Sequence, residues 1–189
     1  MSQIRTHFIF NVLNAISGMC KYDPDKADKT VVRFARFLRS NMDIMEEDKP
    51  VPFERALEHV EDYVALEEVR FGGRIEYFTD IEVSRFKLPS LILQPLVENA
   101  IRHGLLPKPD GGMIVLRTRT DGKNIMISIE DEGVGFDTEQ PAKEKSVALK
   151  NIRFRLENMV NGRLDVQSCP GQGTKVTITI PCQEEKGTK

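Results

Sequence analysis

Apolar residues return every three or four positions through much of the first hundred residues and every second position through much of the rest. Ile4, Phe8, Val12 and Ile16 predict a helix over residues 2–20. Asp23-Pro24-Asp25 is a turn and helix start, and Val31, Phe34, Leu38, Asn41 or Met42, and Met45 carry a second helix to about Met45. Two such helices joined by a tight turn make a hairpin that cannot bury its own apolar stripes. Pairing with a second hairpin as a four-helix dimer is the economical solution, and docking onto the downstream domain is the alternative. The first helix starts abruptly, with no cap or turn ahead of it, so the natural protein is expected to continue upstream.

Glu46-Glu-Asp-Lys-Pro50 is a charged break and the predicted boundary. Phe53, Leu57, Val60, Val64 and Phe71 mark a third helix, stopped by Gly72-Gly73, and residues 74–81 alternate as a strand. Pro89 opens a helix through Leu91–Gly104, with Pro95 inside it predicting a kink or a late start. Residues 113–120 and 125–130 form a strand hairpin around Asp121-Gly122-Lys123-Asn124, with Ile125, Ile127 and Ile129 on one side. Residues 137–147 are polar and read as a mobile loop. Leu149, Ile152, Leu156, Met159 and Val160 mark the last helix, which ends near Gly162. Strands over 164–166 and 176–180 close the pattern, and 183–189 read as a disordered tail.

Composition narrows the class. The chain has 189 residues, 40% apolar and 30% charged, which suits one core or a domain with a helical appendage. A net charge of −2 without a long basic run argues against nucleic acid as a direct partner. Cys20, Cys169 and Cys182 stand at no metal-ligand spacing and read as free thiols. There is neither a signal peptide nor an apolar run long enough to span a membrane, so any membrane attachment belongs to upstream segments.

The helix over Leu91–Gly104 sorts into an apolar arc (Leu93, Leu96, Val97, Ala100, Ile101) and a polar arc (Gln94, Glu98, Asn99, Arg102, His103). An amide, a guanidinium and an imidazole suit metal and phosphate, although an ordinary amphipathic helix capped by Gly104 reads equally well from this segment alone. Three further pieces follow: Asp131-x-Gly-x-Gly135 after a strand, the polar loop, and Gly171-x-Gly-Thr174 before the last strand. An amide oxygen can complete a magnesium shell. A carboxylate at a strand end can accept from an exocyclic amine, and glycines let the backbone approach a base or phosphate. Singly these are common turn sequences; their order and spacing together are specific.

In that order and spacing they resemble the asparagine and glycine boxes of the Bergerat (GHKL) ATP-binding fold. Gln3-Ile-Arg-Thr-His-Phe-Ile-Phe-Asn-Val-Leu-Asn-Ala-Ile16 is similar to the histidine box of LytS-type sensor histidine kinases. Leu93–Gly104, Arg70-Phe71 and Asn151-Ile-Arg-Phe-Arg-Leu156 resemble the same family. The resemblance implies an α+β chain. A helical hairpin for dimerisation and phosphoacceptance (1–48) precedes a Bergerat α/β sandwich with a mixed, mostly antiparallel sheet (49–182). It implies ATP and Mg2+ as cofactors and autophosphorylation on His7, with Asn11 or Gln3 orienting the imidazole. Asn99 would hold the metal, and Arg102 and His103 would face the phosphates, with His103 either touching phosphate or only orienting its neighbours. Asp131 would bind the adenine amine beside Gly133 and Gly135. Ala148 and Leu149 stand at the lid box, and Gly171, Gly173 and Thr174 form the far edge.

The implied partners are a homodimer mate and a response regulator, of LytTR type in this family. The implied setting is the cytoplasmic side of a bacterial membrane sensor. Three departures stand out: Thr6 replaces a proline, Ser146-Val-Ala148-Leu149 stands where a Gly-x-Gly-Leu box is common, and Ile9 replaces a leucine; relative to Bergerat hydrolases, Pro95 occupies the place of the water-activating glutamate. Ala148 would cost on the order of 1 kcal/mol if its φ had to be positive. Pro95 disfavours a conformational ATPase, while Thr6 and Ala148 are the support for a non-catalytic scaffold. No proton acceptor for His7 is evident, and His59, set among Glu58, Glu61 and Asp62, reads as plain surface.

Overall fold

A computed structural model of the protein describes residues 6–45, 49–137 and 143–182. The expected helix ahead of Thr6 with Gln3, residues 46–48 of the charged break, residues 138–142 of the polar loop and the tail from 183 lie outside the described residues. Helices α1 (Thr6–Met19) and α2 (Pro24–Met45) form the predicted hairpin. The carboxylate of Asp23 accepts from the Lys26 N–H at 3.0 Å and so caps α2. Helix α3 (Phe53–Phe71) stops at Gly72, whose φ of 61° turns the chain out of the helix as its N–H reaches the Glu68 carbonyl.

Within one chain the hairpin docks on α3, the second of the two routes, while Val31 of the predicted stripe stays exposed. Phe8 of α1 lies 5.4 Å from Phe37 of α2 and 5.5 Å from Tyr63 of α3, ring centre to ring centre. Val12, Ile16 and Phe34 are buried with them. Arg36 grips Asp62 with two nitrogens, Nε donating to Oδ2 at 2.6 Å. The far side of the hairpin leaves Phe10, Leu13, Val32 and Met42 exposed.

His59 corrects the sequence reading. It is only 3% exposed, stacked on Phe37 at 5.0 Å with the rings 5° from parallel, and its Nε2 lies 2.9 Å from Gln94 Oε1. Burial holds its imidazole below the ordinary value of 6.5; Arg55 adds to this, and Gln94 and Asp62 oppose it. The unfolded chain therefore binds this proton at higher pH than the folded one. The resulting stability is fully present above 6.5 and is lost as pH falls through the folded value. The melting midpoint is expected to drop between about pH 7.5 and about pH 5, with a slope that His59→Gln reduces. Thermal melting of both proteins across that range checks it.

The sheet has the order β2-β4-β5-β7-β6, built from β2 (Ile75–Ile81), β4 (Gly112–Thr120), β5 (Asn124–Asp131), β6 (Arg163–Ser168) and β7 (Thr174–Pro181). Strand β2 runs parallel to β4 and every other pair is antiparallel, as the mixed sheet predicts. One face buries Ile114, Leu116, Ile125, Ile127, Ile129 and Ile178 beneath the helices. The other is polar, with Glu130 bridged to Arg117 at 2.8 Å and to Lys175 at 2.9 Å. A two-residue pairing of β1 (Val51–Pro52) with β3 (Lys87–Leu88) was too short to show any alternation in the sequence.

Helix α4 (Leu93–Asn99) starts late, which places Pro95 in its first turn, where no intrahelical N–H bond is lost. The chain then widens into a π turn, Ala100–Leu105, closed by the Leu106 N–H on the Ile101 carbonyl at 2.9 Å. Helix α5 (Lys143–Val160) begins inside the stretch expected to be loop, so the irregular connection is shorter than its polarity implied. Ala148 lies within α5 and is not among the described non-glycine residues with positive φ, which are Leu91 and Asn161; the anticipated strain at Ala148 does not arise.

Candidate nucleotide cleft and phosphoacceptor helix

Sheet register assembles the cleft. Asp131, the last residue of β5, pairs directly with Thr174, the first of β7, and Thr174 pairs with Ser168 at the end of β6. These strand ends face the π turn. Asn99, His103 and Gly104 from the helix side meet Asp131, Gly135, Leu149 and Thr174 across one cleft. Its apolar lining comes from Leu96, Ala100, Ile129, Phe136, Val166 and Val176. Sequence reasoning assigned none of those six to the site, although Leu96 and Ala100 lay on the apolar arc of the helix and Ile129 on the predicted inward face.

The glycines bring the walls together. A Cβ on Gly133 would lie 2.2 Å from the Cα of Gly104, so the Asp131–Gly135 loop can rest on the π turn only without a side chain there. Gly173 has φ 77°, and a Cβ there would meet the Asp131 carbonyl oxygen at 1.9 Å. The resulting backbone contacts are tight. Val134 N–H donates to the Gly104 carbonyl at 3.0 Å, and Gly171 N–H donates to the Val134 carbonyl at 2.7 Å. Ser168, which sequence reasoning passed over, is the joint between the loops. Its hydroxyl accepts from Phe136 N–H at 2.9 Å and lies 3.0 Å from both the Gly173 carbonyl and the Thr174 hydroxyl.

Asp131 Oδ1 accepts from Gly133 N–H at 2.9 Å, which aims the carboxylate along the cleft floor. The Asn99 carboxamide lines the opposite side. Among the described residues no cluster of three His, Cys, Asp or Glu could hold a metal by itself. An amide oxygen is a hard donor that can complete a Mg2+ shell otherwise made of substrate phosphates and waters, and that is the donor Asn99 offers the cleft. Ser90 receives Arg155 Nη2 at 3.0 Å, which ties α5 to the segment that opens α4. Next to it Leu91 is held at φ 57°, a left-handed conformation that costs a leucine about 1–3 kcal/mol.

Several predicted residues stand outside the cleft lining. Gly133, Gly171 and Gly173 shape its walls from behind, and Ala148 precedes the lining residue Leu149 on α5. Arg102 is not among the cleft's lining residues; it pairs with Glu98 at 3.1 Å and lies beside the Tyr63 hydroxyl. His7 is exposed on α1, one turn from Asn11, whose Nδ2 lies 3.1 Å from Nδ1 and 3.3 Å from Nε2. His7 and Asn11 do not line the cleft.

Comparison with known proteins agrees with this geometry. Residues 1–75 match the family model described as histidine kinase, and residues 86–184 match that of the histidine kinase-, DNA gyrase B-, and HSP90-like ATPase, which implies ATP binding. The YwpD protein of Bacillus subtilis (strain 168) is 36% identical over 195 residues, covering 99% of this chain and 70% of that one. Sensor histidine kinase YpdA of Escherichia coli (strain K12) is 32% identical and sensor protein LytS of B. subtilis 30%, across 96% and 98% of this chain. The chain spans 33% of the length of each of those two. Among solved structures, the histidine kinase domain of the Erythrobacter litoralis EL346 blue-light activated kinase superposes with a TM-score of 0.55 at 18% identity, covering 93% of both chains. Acinetobacter baumannii histidine kinase AdeS gives 0.56 at 18%, covering 97% of this chain and 99% of that one; at such identity the likeness is one of fold. The chain belongs to the LytS-type histidine kinases, its second half being a histidine kinase-, DNA gyrase B- and HSP90-like ATPase module.

Proposed function

We propose that this chain is the catalytic core of a two-component sensor kinase that phosphorylates His7 from ATP and passes the phosphoryl group to an aspartate of a response regulator. The observation that carries it is the pairing of two features in one chain. A histidine box lies on a helix docked through Phe8, and Asn99, Asp131 and Thr174 line a single cleft. In this reading an imidazole nitrogen of His7 attacks the γ-phosphorus and the bond to the bridging oxygen breaks. ADP leaves, and the proton on the other ring nitrogen passes to solvent. Asn11 orients the ring. Rotating its carboxamide by half a turn puts Oδ1 against Nδ1–H and leaves the Nε2 lone pair for attack.

Asp131 reads the adenine amine, with Gly133 and Gly135 as the wall and Thr174, Gly171 and Gly173 as the far edge. Asn99 would hold Mg2+, which would supply charge neutralisation at the transferring phosphoryl group, and His103, Ala148 and Leu149 close the phosphate side. Pro95, in the first turn of α4, offers no carboxylate to activate water, which favours transfer over hydrolysis. We place the domain division at 1–48 and 49–182. A homodimer forms through the exposed side of the hairpin, the regulator is of LytTR type, and the setting is the cytoplasmic side of a membrane sensor. No helix among the described residues is long and apolar enough to cross a membrane, so attachment would come from other segments.

Incubation with γ-labelled ATP and Mg2+ tests the reading. The expected result is protein-bound label that is labile in acid and stable in base. Phosphate release without bound label would instead identify an ATPase, and the absence of nucleotide binding by calorimetry would identify a scaffold.

A further inference from the structure

Between the helix that carries His7 and the helix that carries Asn99 lies a fully buried carboxylate, Glu67 of α3. Tyr63, one turn earlier, donates its hydroxyl to Glu67 Oε1 at 3.1 Å. Arg70, one turn later, donates Nη1 to Glu67 Oε2. From there the two partners lead in different directions. The Arg70 guanidinium stands 5.8 Å from the ring centre of Phe8, the residue after His7, and 4.7 Å from that of Phe71. Tyr63 also packs on Phe8, ring centres 5.5 Å apart, while its hydroxyl lies beside Arg102. Arg102 is paired with Glu98, the residue before Asn99.

Stability alone is a weak account of this arrangement. A buried ion pair can often be replaced by apolar side chains of similar volume with no loss, because taking both charges out of water offsets their attraction. Burial pushes the Glu67 carboxyl up against the pull of Arg70, so the site is costly to the fold. Glu67 does not line the cleft. Its two partners do share one property: each touches the aromatic side chain adjacent to His7, and one of them also reaches the π turn that follows Asn99.

We propose that Glu67 is a positioning residue for phosphoryl transfer: through Arg70 and Tyr63 it sets how the His7 helix seats on α3 beside the Asn99 helix, the docked arrangement from which His7 reaches the cleft. The proposal rests on the kinase reading above. Reacting groups on two separate elements gain rate only when their relative placement is fixed, and a displacement of about 1 Å can cost on the order of 10²-fold.

Two variants of the full chain test it. Glu67→Gln keeps the volume and an acceptor for Tyr63 but leaves Arg70 without its carboxylate. Glu67→Met combined with Arg70→Met replaces the pair by apolar volume and is expected to melt at or above the wild-type temperature. Labelling from γ-labelled ATP is measured across ATP concentrations, ATP affinity by calorimetry, and exchange of α1 amides by deuterium uptake. In the double variant the labelling rate at saturating ATP is expected to fall on the order of 10²-fold, with ATP affinity within about twofold of wild type. Deuterium uptake in α1 rises. Glu67→Gln shifts both readouts the same way and decides the matter if the double variant does not fold. Wild-type labelling rates in a folded variant overturn the proposal, as does a loss that only follows the unfolded fraction. A wild-type chain that takes no label sinks the kinase reading instead; α1 exchange then judges Glu67 alone, and unchanged exchange in both variants overturns its role.

Discussion

His7→Gln abolishes acid-labile label: incorporation from γ-labelled ATP falls by at least about 10³-fold, to background. Glutamine keeps the length and a polar end but has no ring nitrogen that can carry a phosphoryl group. The change should be read in chemistry and nowhere else. His7 is exposed, so the melting temperature stays put, and it does not line the cleft, so calorimetric ATP affinity is unchanged. The chain has only two other histidines. His59 is buried against Phe37, with its Nε2 on Gln94. Label surviving in His7→Gln would therefore move the acceptor to the exposed cleft residue His103 and sink the assignment.

The parts of this fold that were legible in the sequence are those set by local chemistry. Gly72 stops α3 because the chain must turn left-handed there, and Asp23 caps α2 because a short carboxylate reaches the free N–H groups of the first turn. Pro95 announced a late helix start for the same kind of reason. Alternation placed the long strands and the inward face of Ile125, Ile127 and Ile129. The order of the asparagine and glycine boxes brought Asn99, Asp131, Gly135, Leu149 and Thr174 to the cleft before any geometry was known.

What was not legible comes from partners far away in the chain. His59 stands among charged neighbours in sequence, yet its face of α3 is fixed by Phe37 from the hairpin and by Gln94, which is 35 residues later. Arg102 was assigned to the phosphates by the family resemblance alone. In this structure its side chain is paired with Glu98 and lies beside Tyr63, on the π turn into which the helix widens. That widening has no sequence mark, because it accompanies the close seat of Gly133 and Asp131 on Gly104. Ser168 belongs to the same class: a serine beside a turn, whose hydroxyl proves to join two loops only once β6 lies next to β7.

Those joined loops make Asp131 the second residue whose replacement should matter most. Its Oδ1 accepts from Gly133 N–H at 2.9 Å and is held beside Gly104, so the carboxylate cannot swing away from the cleft floor. Asp131→Asn preserves the shape. Its amide oxygen must stay on the Gly133 N–H, since the reverse orientation sets donor against donor, and the amide nitrogen is then turned toward the base. Two donors now face each other, that nitrogen and the adenine amine. Losing a hydrogen bond to a charged acceptor and leaving donors unpaired in a closed site costs about 2–4 kcal/mol, so ATP affinity is expected to fall by on the order of 10²-fold. The same change should favour a purine with an oxygen in place of that amine. Inosine triphosphate, a poor ligand for the wild type, should gain on ATP in the variant by at least about tenfold as the new amide donates to its carbonyl. Calorimetry with both nucleotides on both proteins checks the reversal, and equal losses for the two nucleotides would remove Asp131 from base recognition.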